Sequence, residues 1–403
     1  MAKNVVESLS VWRRQSRNWR IVSFRSMLHR FFRRLTLDYN SIYITGLGAD
    51  PVQLGLVNSF THVAASLISA PLGWLQDRHS LRKIFLVGVS LSLLMTAIYA
   101  VATSWVMIIP AMILANIAMN IGSCLTICDV SVKDSDRSTC KGLCDGTFAA
   151  PSLIAPALAA LIITRFGGLT VEGIRPLYYL QLGAGIILFI YLALNLREIK
   201  RPKIPKSSGF LNDLREVFQN GTALKRYALF TVVSSFTMGM VGPFVQLFAF
   251  EVKGADQFTL GLMTTASLLI QTVFATTLGS WADRIGRKKV FYLAEPLYLA
   301  SILVLVIAPS PLYLIVSSIL GGFRLIVGYV SLSPLQTELV PVEYRGRWRG
   351  ILGTFSGLAS IPAPIIGGMI WDTLGPSALI LAPILIDLLV RIPLLTTIPE
   401  KKR

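Results

Sequence analysis

The sequence predicts an all-α membrane protein with twelve transmembrane helices in two pseudo-symmetric six-helix bundles. Three observations predict it: apolar residues dominate the whole chain, apolar runs recur at bilayer-spanning length, and a set of short motifs returns once at a nearly constant offset. Of 403 residues, 53% are apolar and 15% are charged, whereas about 25% of a soluble domain is charged. A mean hydropathy of +0.63 over so long a chain requires many apolar stretches rather than one anchor.

A bilayer core about 30 Å thick is crossed by roughly 20 mostly apolar residues in a helix. Runs of that length, closed by charges or by Gly, Pro and Asp clusters, predict spans at 24–46, 53–75, 84–103, 106–128, 143–166 and 177–196. A second six follow at 227–250, 258–281, 290–308, 311–334, 350–371 and 377–398. Lipid offers no partner to an open backbone group, so spanning segments are helices or strands of a closed barrel. The alternating ten-residue patterns of a barrel are absent.

The net charge of +17 raises the possibility of nucleic-acid binding, but its placement argues against that. Of the 38 Lys and Arg, 29 fall in the termini and in the five connections on one predicted side, and the opposite side holds Arg165, Arg175 and Lys253. This one-sided basicity is the positive-inside signal, which places both termini in the cytoplasm of a protein in the cell membrane. Arg13, Arg14, Arg17 and Arg20 are not followed by a short apolar stretch with a small-residue cleavage site, so no cleaved leader is expected.

Gly73, Asp77 and Arg78, followed by Arg82 and Lys83, return as Gly279, Asp283 and Arg284, followed by Lys288 and Lys289, 206 residues later. Asp136-Arg137 before Gly142 returns as Tyr344-Arg345 before Gly350, and Ala155-Pro156 returns as Ala363-Pro364, both at an offset of 208. Ordered matches at constant spacing indicate a duplicated six-span unit. The expected organisation is a bundle at 1–196, a cytoplasmic linker at 197–226 and a second bundle at 227–403. Phe210, Leu211, Leu214, Val217 and Phe218 have helical spacing among basic residues, so the linker is expected to carry an amphipathic helix on the inner leaflet.

These residues resemble the major facilitator superfamily over essentially the whole chain. Gly279 to Lys289, with Gly286 and Arg287 in place, is similar to that family's Gly-x-x-x-Asp-Arg-x-Gly-Arg-Lys signature. The first copy has Ser80 and Leu81 where the family usually has Gly and Arg. The resemblance implies a secondary transporter working by alternating access around a central site, with Gly73, Asp77, Arg78, Gly279, Asp283, Arg284, Gly286 and Arg287 at a cytoplasmic gate. Arg324 and Gly328 in span 10 resemble an Arg-x-x-x-Gly motif that exporters of the family carry in span 4; Asn116 and Asn120 stand at that spacing in span 4 here. The Ala155-Pro156 and Ala363-Pro364 stretches resemble the exporters' Gly-Pro motif, which leans the reading toward export.

A charge at the bilayer centre costs about 2.5 to 3.5 kcal/mol on insertion scales, so intramembrane charges are functional candidates. The first span is the outlier. At about 100° per residue, Arg30, Arg33, Arg34, Asp38 and Ser41 share one face, and Phe24, Leu28, Phe31, Leu35, Tyr39 and Ile42 lie opposite. Three arginines against one aspartate favour an anionic ligand, because guanidinium forks match carboxylate and phosphate. The alternative is that Arg25 and Arg30 snorkel to the inner surface. The expected central-cavity set is therefore Arg30, Arg33, Arg34, Asp38, Ser41, Asn116, Asn120 and Arg324. Asp38 is the candidate proton-coupling group, because a substrate that recruits Arg34 releases Asp38 to take a proton. Glu295 and the Asp387/Arg391 pair read as half-buried structural partners.

Cys124, Cys128, Cys140 and Cys144 fall within 21 residues; small packing residues at helix ends explain them more simply than a soft-metal site. No cofactor and no metal are expected. P-loop, metalloprotease and nucleophile-elbow contexts are absent, so no enzyme activity is expected. The expected partners are a small-molecule substrate, protons as coupling ion and membrane lipid, with the chain a monomer and no nucleic acid. An organic anion or amphiphile is the favoured substrate. The alternatives are export of lipophilic cations and, in another class, a non-transporting sensor or scaffold on the same fold.

Overall fold

The computed structural model describes residues 15–63, 80–121, 132, 140, 151–198, 222–340 and 345–400. Every described element is a helix. Gly73, Asp77, Arg78, residues 199–221 of the expected linker at 197–226, and Cys124, Cys128 and Cys144 lie outside the described residues. Cys140 is buried.

The chain forms two compact units. The described part of the first comprises α1 (Arg17–Leu37), α2 (Asn40–Gly46), α4 (Leu81–Val101), α5 (Ile108–Ile121), α6 (Ala155–Arg165) and α7 (Val171–Asn195). The second contains α3 (51–63), then α8 (Thr222–Val241), α9 (Val245–Glu251), α10 (Gln257–Ile285), α11 (Arg287–Ile307) and α12 (Pro311–Val327). It ends with α13 (Ser333–Leu339), α14 (Arg345–Ser360), α15 (Ala363–Leu374), α16 (Pro376–Ile386) and α17 (Ile392–Thr396). Residues 49–63 cluster with the C-terminal unit although they precede most of the N-terminal one.

Among the described residues, eight helices are long and apolar enough to cross a membrane, and they coincide with the predicted spans from 84–103, 177–196 and all six of the second half. Two shorter apolar helices, Trp105–Met119 and Pro151–Arg165, fall in the predicted spans 106–128 and 143–166. The first span departs from expectation. It starts at Arg17 and breaks after Leu37, so that α1 and α2 replace one continuous helix. Ser16 caps the early start by accepting a hydrogen bond from the Trp19 backbone N–H.

The first unit packs α1, α4 and α7 through Ile21, Val22, Phe85, Val89, Leu192 and Leu196. The larger core of the second unit runs from Tyr227 and Phe230 on α8 through Phe291 on α11 to Trp348 and Leu395. Small residues set the closest approaches. A Cβ on Gly55 would overlap the Pro364 carbonyl oxygen, and one on Gly368 would overlap the Pro51 carbonyl. These contacts seat α3 directly on α15.

Lipid cannot solvate helix ends, and the three cations on the nearly cation-poor side sit at helix C-termini, where the dipole favours positive charge. Arg175 donates from Nη2 to the Ala102 carbonyl at 2.7 Å, closing α4. Lys253 donates from Nζ to Val306 at 2.5 Å and to Ala308 at 3.3 Å, closing α11. Arg165 lies in the last turn of α6. At the opposite ends, carboxylates face helix N-termini. Ser80 caps α4 and donates to Glu198 Oε2 at 2.6 Å. Gly286, at φ +107°, ends α10 and starts α11. There Glu400 Oε1 accepts from the backbone N–H groups of Arg287 at 2.5 Å and Lys288 at 3.3 Å. The duplicated sequence thus yields one device twice, with Ser80 supplying in the first copy what the backbone supplies in the second.

Gly55→Val, which forces overlap at the α3–α15 contact, is expected to cost about 1–3 kcal/mol. Thermal unfolding of the purified protein in detergent should show a loss of several degrees, and an unchanged midpoint would mean that these helices do not approach so closely.

Candidate functional site

Two clusters of charge are buried, one in each unit. In the first, α1 stops at Asp38, whose backbone N–H closes the last turn onto the Thr36 carbonyl. The break is held on both sides by α7. Thr36 donates from Oγ1 to Gln181 Oε1 at 2.8 Å before it, and Tyr178 donates to Asn40 Oδ1 at 2.5 Å after it. Gln181 donates onward to Thr96 at 3.4 Å. Tyr43, Tyr99 and Tyr178 pack ring on ring, with Tyr178 4.9 Å from each of the other two centroids, and Tyr43 donates to the Tyr99 carbonyl at 2.7 Å. Interrupted helices in membranes occur where the backbone is buried in protein or lines a cavity, and such interruptions mark binding sites.

Arg34 Nη2 and Asp38 Oδ1 lie 3.2 Å apart, one turn apart at this break, with Asp38 buried and Arg34 partly exposed. This is the pair expected from their spacing. Arg33 reaches the Met119 sulfur on α5 at 3.7 Å, and Asn116 is on the same helix, three residues earlier. Arg30, Ser41 and Asn116 are partly buried; the side chain of Asn120 lies outside the described set. Arg25 departs from the snorkelling alternative. It is buried, its guanidinium lies 5.6 Å over the Phe85 ring, and with His29, Thr96 and Gln181 it lines a cavity of about 20 Å³. Such a cavity is large enough for a water molecule.

The second cluster corrects the reading of Glu295, Asp387 and Arg391 as half-buried. Asp387 and Arg391 are fully buried, and Glu295 is 3% exposed. Arg324 Nη1 contacts both carboxylate oxygens of Glu295, at 2.9 and 3.1 Å, and lies 3.8 Å from Asp387 Oδ2. Arg391 Nη1 pairs with Asp387 Oδ1 and lies 3.5 Å from Glu295 Oε1. Arg391 is held further by Nε donating to Ser234 Oγ at 2.9 Å and by the Phe230 ring at 5.2 Å. Arg324 lies 4.7 Å over the Tyr298 ring.

Local backbone places these groups. Gly321 and Gly322 let α12 approach α11 and α10, a Cβ at Gly322 falling 3.1 Å from the Ser267 carbonyl oxygen, and Ser317 pins α12 to α11 by donating to the Ser301 carbonyl at 2.7 Å. Asp387–Arg391 forms a π-helical turn, and a second π-turn, Gly328–Leu332, follows Arg324. Single π-turns inside helices concentrate at functional positions. Sequence spacing linked Asp387 to Arg391, but Glu295 and Arg324 are 29 residues apart and meet only because α11 and α12 pack side by side. The available signal was Glu295 and Arg324, each standing in an apolar span with no charge near it in sequence.

Of the residues in the duplicated signature, Asp283 and Arg284 are exposed at the end of α10. Arg287 is buried, pairs with Glu338 at 3.0 Å and accepts a hydrogen bond at its carbonyl from Ser331 at 2.6 Å. Long apolar helices with charge clusters buried among them are the features of a multi-pass membrane protein. The family model for the Major Facilitator Superfamily matches residues 26–227 and 227–403, and the chain belongs to that superfamily.

Among its relatives, the multidrug resistance protein MdtG of Rahnella sp. (strain Y9602) is 20% identical over 355 residues, covering 85% of this chain and 82% of the relative. The class E tetracycline resistance protein of Escherichia coli is 30% identical over 108 residues, covering 27% of this chain and 26% of that one. Crystal structures with the same fold include the nucleoside transporter NupG, with a TM-score of 0.73, 15% identity and coverage of 94% and 99% of the two chains. A bacterial homolog of the human lysosomal transporter Spinster, inward-facing and unoccupied, has a TM-score of 0.68 at 18% identity, with coverage of 88% and 82%.

Breaking a buried ion pair from one side leaves an uncompensated charge, at about 3–5 kcal/mol. Arg391→Met should therefore destabilise the purified protein by that order in thermal unfolding, and Arg324→Met, at the more exposed position, by less. Equal losses would mean that the network does not have its anchor at Arg391.

Proposed function

We propose that this transporter moves a small organic anion or amphiphile by alternating access, coupled to protons, with export the favoured direction. The observation that carries this reading is the Arg34–Asp38 pair at a helix break, on a helix where Arg30 and Arg33 add further positive charge beside a single aspartate. An anion arriving at Arg33 and Arg34 competes with Asp38 for the guanidinium, and Asp38 then takes a proton in place of its lost partner. Arg30, Ser41, Asn116, Asn120 and Arg324 complete the proposed cavity set. The two Ala-Pro stretches and the resistance proteins among the relatives support outward movement. The one-sided basic loops support a location in the cell membrane with both termini cytoplasmic. Gly73, Asp77, Arg78, Gly279, Asp283, Arg284, Gly286 and Arg287 are the proposed cytoplasmic-gate residues, and the proposed bundles are 1–196 and 227–403, joined by a linker at 197–226. A monomer without enzymatic activity suffices for this cycle.

Similarity to a multidrug resistance protein over 85% of the chain favours one other reading, export of lipophilic cations drawn to Asp38 or Glu295. The two are separated by thermal-shift titration of the purified protein with benzenesulfonate and with tetraphenylphosphonium. A ligand at about 100 times its Kd stabilises the native state by about 2.7 kcal/mol. Stabilisation by the anion that disappears in Arg33→Ala and Arg34→Ala is the expected result, whereas stabilisation by the cation alone would select the alternative. In proteoliposomes, Asp38→Asn should abolish accumulation driven by a proton gradient while leaving anion protection in place. Full proton-driven transport by this variant would exclude Asp38 as the coupling group.

A further inference from the structure

We infer that Glu295 is a second proton-exchanging carboxylate, released when Arg324 turns from it to an anion; this rests on the anion-transport reading and extends it to the second unit. The two arginines of the cluster are not equivalent. Arg391 is immobilised by Asp387, by Ser234 and by the rings of Phe230 and Phe291, and its side chain has no exposure. Arg324 keeps 20% of its side chain accessible, and of its polar contacts in the cluster the tight ones go to Glu295 alone. The link between Arg324 and Glu295 is therefore the one that can open without dismantling the core.

The charged and titratable groups facing Glu295 among the described residues are Arg324 on α12, Asp387 and Arg391 on the last π-turn, and Tyr298 on its own helix. With all four charges in place the cluster is neutral. When Arg324 pairs with an anion instead, Glu295, Asp387 and Arg391 are left with one net negative charge in surroundings that lipid and apolar side chains shield from water, and such a charge is costly. Uptake of one proton by Glu295 restores neutrality: the carboxylate becomes a carboxylic acid, and Arg324 keeps the anion. Anion and proton then favour each other's binding, because the coupling is reciprocal, so at this cluster the two move in the same direction and an exported anion carries the proton out with it. A lipophilic cation would do the reverse, being attracted to ionised Glu295 and displaced by the proton. Asp387 and Arg391 act as positioning residues. The π-turn sets them on neighbouring positions of one surface and fixes the guanidinium 3.5 Å from Glu295 Oε1.

The test is infrared difference spectroscopy of the full chain reconstituted in lipid, comparing acidic with alkaline buffer, with benzenesulfonate as the probe because it has no carboxyl band of its own. The native protein is expected to show the carbonyl band of a protonated buried carboxyl group that grows when benzenesulfonate is added. The band should be lost in Glu295→Gln and kept, at a shifted frequency, in Glu295→Asp, which guards against a variant that merely misfolds. Arg324→Lys should keep the band and lose its growth with the anion. A band that survives in Glu295→Gln, or one indifferent to benzenesulfonate in the native protein, overturns the inference. Asp38→Asn separates the two proposals. It should keep the Glu295 band, so loss of proton-driven transport in that variant bears on the first unit alone.

Discussion

A spanning helix in lipid has no solvent to fall back on, so each exposed end and each charge must find its partner within the protein. The described residues of both units follow from that constraint. Arg175 and Lys253 are tied to the carbonyls that end α4 and α11, and Glu198 and Glu400 stand at the starts of the same two helices. α4 and α11 are thereby each closed at both ends by side chains from elsewhere in the same unit. The cations that look like exceptions to a basic-loop rule are there because a helix C-terminus needs them.

The same constraint gives the charge clusters their meaning. A buried ion pair is poor evidence of stability, since apolar residues of similar volume often serve as well. Four charges among Glu295, Arg324, Asp387 and Arg391, three of them almost without exposure, therefore point to a demand other than holding the fold. The two units meet that demand with different backbones. The first interrupts a helix at Asp38 and scaffolds the break from α7 through Gln181 and Tyr178. The second keeps its helices continuous and widens them by a π-turn at Asp387 and another after Arg324.

Much of this was legible in the residues. Apolar run lengths placed the eight long helices, and the helical spacing of Arg34 and Asp38 anticipated their ion pair. The start of α1 was missed because Arg17, Arg20 and Arg25 read as surface charge, while in the structure Arg25 is buried against Phe85 and Ser16 caps a helix that begins well before its apolar run. The break after Leu37 was missed because nothing in Thr36–Tyr39 is a helix breaker; its stabilising contacts come from Gln181 and Tyr178, far along the chain.

The class of protein was already written in the chain: local hydropathy marks the segments that enter lipid, and a duplicated set of motifs accompanies two compact units. Which charges meet is a matter of packing in three dimensions. Glu295, Arg324 and Asp387 lie on three separate helices, and their contact depends on side-by-side packing through Gly321, Gly322 and Ser317. Packing of that kind depends on the shapes of two surfaces at once, and a one-dimensional pattern records each surface but not their pairing.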